Sequence, residues 1–71
     1  MEMKVLSNET IGVRRLVLIQ FRTIYYVDYD EQKRSAEEIF LRKNRIGKVY
    51  SFLEDAKKQF EIYRNRLGEG V

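Results

Sequence analysis

Apolar residues crowd two stretches of the chain and follow a different period in each. The segment 13–30 is dense in Val, Ile, Leu, Tyr, Phe and Thr, the residues that suit a pleated, half-buried surface. Leu16, Leu18 and Gln20 fall on one side of such a ribbon, and Val17, Ile19 and Phe21 on the other. Further on, Tyr25, Val27 and Tyr29 alternate with Tyr26, Asp28 and Asp30. The whole run is too long for one ordinary strand. The pattern therefore predicts a break near 20–23 and an antiparallel hairpin of strands over 12–20 and 23–30. A shorter strand at 3–6 precedes them, with Ser7, Asn8, Glu9, Thr10 and Gly12 supplying turn chemistry.

The second apolar stretch has helical spacing. Phe52, Ala56, Phe60, Tyr63 and Leu67 share one face, with Lys57, Lys58, Glu61 and Arg64 opposite. Ser51 and Glu54 have the spacing of a capping box, in which the serine oxygen and the glutamate each satisfy a free amide. Asp55 in the first turn and Arg64 and Arg66 in the last complement the helix dipole, and Gly68 stands where a C-terminal glycine belongs.

Between these stretches, residues 33–50 admit two readings. Ser35 and Glu38 make a second capping-box pattern, which starts a helix over 36–46 that Gly47 would end. Alternatively, 39–41 and 48–50 are strands joined by a turn at 44–47. The helix is the preferred reading, because glutamates near its start and cations near its end suit the dipole. The fold class that follows is α+β. An N-terminal antiparallel hairpin or three-stranded meander packs on a C-terminal helix, with a short helix (or second hairpin) between them.

The expected inner set is Leu16, Leu18, Tyr25, Val27, Ile39, Phe40, Val49, Phe52, Ala56, Phe60, Tyr63 and Leu67. The Val17/Ile19 side is equally apolar. A monomer would expose one of the two, so the outer face of the hairpin is the expected seam of a homodimer.

Composition narrows the chemistry. The 71 residues form one domain, 1–71, with 68–71 expected as a frayed tail. Five Tyr and four Phe give this short chain enough apolar area to fold despite its 35% charged residues. Histidine and cysteine are both absent. Their absence removes disulfides, zinc, haem and iron–sulfur ligation, and it removes Ser–His and Cys–His nucleophiles. The four glycines have neither Walker nor dinucleotide spacing. The expectation is a protein that is not an enzyme and carries no cofactor and no metal. The most apolar run, 16–27, is interrupted by Gln20 and Arg22 and falls short of the ~20 residues of a membrane span. The N-terminal residues lack the apolar stretch of a signal peptide, so a cytoplasmic location without membrane contact is expected.

Two acidic patterns carry little. Asp28 and Asp30 could open a calcium loop, but Lys33 and Ile39 stand where glycine and glutamate are required. Glu31-Gln32-Lys33 has the Glu-x-Lys spacing of metal-dependent nucleases, without a well-placed upstream acid.

Charge points elsewhere. Lys33, Arg34, Arg42, Lys43, Arg45 and Lys48 oppose only Glu37 and Glu38. Six cations less two anions give +4 within 33–48, whereas the whole chain carries +3. Clustered Arg and Lys are what phosphate neutralisation requires, and Asn44 could read an adenine edge. A solvated face is the plainer explanation. The aromatic hairpin offers a competing surface, with Tyr26, Ile19 and Phe21 as anchors for a protein partner. Two functions follow: a small nucleic-acid-associated binding protein acting through 33–48, or a protein-interaction module docking through the hairpin.

Overall fold

Two tight turns and two helices, one on each face of a sheet, organise the molecule. In the computed structural model, which describes residues 3–32, 34–41 and 47–69, the order of elements is β1 (Met3–Ile11), β2 (Arg14–Phe21), β3 (Ile24–Asp30), α1 (Ala36–Leu41), β4 (Lys48–Tyr50) and α2 (Leu53–Glu69). The strands form one antiparallel sheet in the order β1-β2-β3-β4, so every strand lies beside its neighbour in sequence. The α+β class is as expected from the sequence, with the meander extended to four strands.

Both hairpins close with two-residue loops, because Ile11 pairs with Arg14 and Phe21 with Ile24. Each loop begins with a residue at positive φ: Gly12 at 63° and Arg22 at 57°. Glycine takes that conformation freely, whereas a side chain there strains the backbone. The strand break thus falls at Arg22–Thr23, within the expected interval.

β1 is much longer than the expected 3–6. Ser7, Asn8, Glu9 and Thr10, read as a turn, pair with Leu18, Val17, Leu16 and Arg15. Cross-strand packing overrides their local turn preference. A bulge between Val5 and Ser7 lets Leu6 join the core on the α2 side.

Both faces of the sheet are covered, each by a different helix. On one, Leu16, Leu18 and Val27 pack against Ala56, Phe60, Tyr63 and Leu67 of α2, with Tyr25, Tyr29 and Tyr50 at the margin. Ala56 is fully buried, and its small side chain lets the helix approach the strands. On the other face, Val17, Ile19 and Tyr26 pack against Ala36, Ile39 and Phe40 of α1. Six residues are far too few to hold a helix alone in water. α1 persists because Ile39 and Phe40 each gain about 1.5–3 kcal/mol on burial, and because its N-terminus is capped. The Ser35 amide donates to Glu38 Oε1 at 3.1 Å, and the Glu38 amide donates to Ser35 Oγ at 3.2 Å.

Several expectations are corrected here. Of the middle segment, the described part of the expected helix is α1, Ala36–Leu41, and 48–50 is a strand that pairs with β3 rather than with 39–41. Residues 42–46, the rest of the expected helix, lie outside the described residues. Gly47 lies against β3, where a Cβ would meet Asp28 at 2.6 Å. α2 begins at Leu53, so Ser51 stands a residue too early to cap it, and the Phe52 carbonyl accepts from the Ala56 amide at 3.2 Å. Gly68 continues α2, and of the expected tail only 70–71 lie outside the described residues. Val49 and Phe52, placed in the core, are 55% and 70% exposed. The hairpin face expected as a dimer seam is occupied by α1.

Candidate functional site

The two aspartates at the end of β3 govern how the chain leaves the sheet. Strand alternation puts Tyr26, Asp28 and Asp30 on the α1 side, and all three are buried. Burying a carboxylate is costly unless it is hydrogen-bonded, and both aspartates are. Asp28 Oδ2 accepts from the Tyr26 hydroxyl, and its Oδ1 accepts from the Tyr29 amide at 2.7 Å. Asp30 Oδ2 accepts from the amides of Gln32 and Arg34, each at 3.1 Å. The acidic cluster is therefore a folding device. Among the described residues, no three acidic, histidine or cysteine side chains group as metal ligands.

Those bonds decide the role of Arg34. Its guanidinium lies 3.8 Å from Asp30 Oδ1 and donates to Gln32 Oε1 at 2.6 Å. Arg34 thus closes the loop after β3, and its charge is partly spent within the chain. Lys48 is exposed on β4, opposite Val27. Lys33, Arg42, Lys43 and Arg45 lie outside the described residues, as does Asn44. Their described neighbours fix where the stretch departs and returns: Leu41, 53% exposed, ends α1, and Gly47 enters β4 beside Asp28.

Tyr26, Ile19 and Phe21 do come together, but inside the molecule. Tyr26 and Ile19 are 1% and 0% exposed, and Phe21 is half-buried. The Phe40 ring stands 5.2 Å from Phe21 and 5.6 Å from Tyr26, edge-on to the tyrosine. The expectation that these residues anchor a partner is corrected by α1, which takes the place a partner would have taken.

On the α2 side a second group of tyrosines is turned inward. The Tyr50 hydroxyl donates to Gln59 Oε1 at 3.1 Å, and Tyr29 and Tyr63 meet edge to face at 5.3 Å. Burial pushes the phenols of Tyr50 and Tyr63 above their ordinary value. The exposed side of α2 carries Lys57, Lys58, Arg64 and Arg66 against Glu54, Asp55, Glu61 and Glu69. Four charges of each sign cancel, so this helix adds no basic face. Arg64 is further engaged by Glu9 of β1 at 2.9 Å and by Glu61 at 3.2 Å. Among the described residues, no helix is long and apolar enough to cross a membrane.

The structural use of Asp28 and Asp30 went unread in the sequence, though the signal was there. A strand that alternates Tyr26, Asp28 and Asp30 on one face, opposite a β2 face bearing Val17 and Ile19, forces those carboxylates under whatever covers it. No family model matches the chain, and no curated protein and no solved structure is significantly similar to it.

Proposed function

We propose that this is a small, non-catalytic binding protein that associates with nucleic acid through its basic stretch. The observation that carries the reading is local charge: +4 within 33–48 in a chain of +3. Arg42, Lys43, Arg45 and Lys48 would neutralise phosphates, with Lys33 and Arg34 at the rim. The charge balance on the outer side of α2 supports the same assignment, since the excess has no other home on that helix. Helices already cover both faces of the sheet, which supports a contact through the stretch 33–48 rather than through the strands.

Fluorescence anisotropy of labelled single- and double-stranded DNA and RNA, at about 50 and 200 mM salt, tests the proposal. Four phosphate contacts lower affinity on the order of 10²-fold between those salts. Replacing Arg42, Lys43 and Arg45 by Ala removes most of that dependence while circular dichroism stays unchanged. Absence of binding at the lower salt makes the stretch a solvated face.

The competing reading, a protein-interaction module, loses Tyr26 and Ile19 as anchors. It retains Val49 and Phe52, 55% and 70% exposed beside β4. A partner held there is released by Phe52→Ser and indifferent to the triple Ala variant.

A further inference from the structure

β1 and β4 are the two edges of the sheet, and they differ in length. β4 has three residues and β1 has nine, and among the described residues none pairs with the outer side of β1. An unpaired edge is a row of backbone donors and acceptors that another strand can satisfy. Which residues of β1 hold those free groups follows from the two hairpin turns.

A loop of two residues makes the pair that closes it the hydrogen-bonded kind, and the two kinds of pair then alternate along the ladder. Ile11 and Arg14 close the first loop, so Ile11 and Glu9 turn their backbone groups to β2 while Thr10 and Asn8 turn theirs outward. Phe21 and Ile24 close the second, so Phe21 and Ile19 turn to β3, and Gln20 turns to Lys4. Met3 and Val5, opposite Phe21 and Ile19, are therefore outward as well. The bulge between Val5 and Ser7 separates the two halves and shifts their phase by one residue. Free groups thus stand at Met3, Val5, Asn8 and Thr10, at spacings of two, three and two.

That spacing excludes a regular partner and selects one with the same break. A regular strand offers groups at every second residue, so it fits one half of β1 and falls out of phase at the bulge. The order two, three, two reads the same in both directions, so a second β1 running antiparallel matches all of it. Met3 then lies opposite Thr10 of the other copy, and Val5 opposite Asn8. All four belong to the α1 side of the sheet, since their β2 partners are Phe21, Ile19, Val17 and Arg15. The same register sets Lys4 of one copy against Glu9 of the other. Both are on the α2 side: Lys4 is opposite Gln20, in the row of Leu16 and Leu18, and Glu9 reaches Arg64 of α2 at 2.9 Å. Opposite charges facing one another across strands stabilise the pairing.

We propose that β1 is a self-recognition edge. Two copies pair antiparallel through it about a two-fold axis beside Leu6 and Ser7, which joins two four-stranded sheets into one. Free amides, faces and charges all agree in this single register. The seam is distinct from the hairpin face that α1 covers, and it stands whether or not 33–48 binds nucleic acid.

The test uses the full chain without nucleic acid, and two variants, Lys4→Glu and Glu9→Lys. Sedimentation equilibrium reads the mass as concentration rises, and amide hydrogen exchange reads the seam. In dilute solution the Lys4, Glu9 and Ile11 amides are protected and those of Val5, Asn8 and Thr10 exchange. Protection spreads to these three as the dimer forms. Each variant places like charges opposite one another and weakens dimerisation several-fold. An equimolar mixture restores it, because both cross-strand pairs of the mixed dimer are again opposite in sign, and this recovery separates lost pairing from lost folding. A chain that stays monomeric at every concentration overturns the proposal. So does a dimer in which the Val5, Asn8 and Thr10 amides still exchange, since its seam lies elsewhere. Variants that pair as tightly alone as when mixed overturn the register, and self-recognition through β1 with it.

Discussion

Gly47 leaves no room for a side chain because Asp28 fills the space. A Cβ added to Gly47 would stand 2.6 Å from Asp28 Cβ and 2.8 Å from its Cγ, and would collide with the Val27 carbonyl oxygen. Two of the three obstacles belong to a buried residue and the third is backbone, so neither can yield cheaply. Gly47→Ala is expected to cost about 2–3 kcal/mol. A urea titration should show a lower midpoint at unchanged slope. A midpoint within error of the parent would mean that β4 can shift away from β3.

Asp28 depends on the Tyr26 hydroxyl. Tyr26→Phe keeps the ring against Phe40 but removes a donor from a fully buried carboxylate. Loss of about 1–3 kcal/mol follows, read as a lower thermal midpoint. An unaltered midpoint would show that the hydroxyl contributes nothing net.

Arg22 at φ 57° predicts a gain instead. Arg22→Asn relieves left-handed strain and should stabilise by about 0.5–1 kcal/mol, less any loss of the contact with Phe21. Differential scanning calorimetry gives the sign directly, and a destabilised variant would make the ring contact the larger effect.

Phe40 closes the face that would otherwise remain bare. Phe40→Ala removes the ring that touches both Phe21 and Tyr26 and should cost about 3–5 kcal/mol. That is a large share of the stability of a domain this small. Any folded remainder uncovers part of the face that holds Val17 and Ile19, so size-exclusion chromatography should show more association than in the parent.

Glu38 supplies a pH signature for α1. The bond from the Ser35 amide, then that from its hydroxyl, lowers the Glu38 carboxyl below its ordinary 4.5. A depressed folded-state value means the contribution is complete at neutral pH, wanes below about 4.5 and is lost as pH falls through the folded value. Carboxyl NMR should find the Glu38 midpoint low in the parent and raised in Ser35→Ala. Equal midpoints would show that the hydroxyl adds nothing to the bond from the Ser35 amide, which the variant keeps.

How much of this was legible depends on the range of the forces involved. The helix face Ala56, Phe60, Tyr63, Leu67 and the alternation of β2 and β3 are local patterns, and they appear as read. The capping box at Ser35 and Glu38 needs only neighbours three residues apart and forms as expected. The similar pair Ser51 and Glu54 does not set the start of α2, because pairing of Tyr50 with Tyr25 fixes how the chain enters that helix. Ser7 to Thr10 became strand because β2 offered partners that turn preference could not see.

The candidate site divides the same way. Sequence alone determined where the charge excess lies, which catalytic and cofactor chemistries its missing histidine and cysteine exclude, and that both faces of the hairpin are apolar, since these follow from residue identity and period. Only the tertiary structure decided what covers each face. α2 took one and α1 the other, which turned Tyr26, Ile19 and Phe21 from a surface into a core. Tertiary structure also brought Gly47 against Asp28, tied Arg34 to Asp30, and set Lys4 beside Gln20. Each of these is a meeting of residues distant in the chain or across a turn, and packing geometry, not period, brings them together.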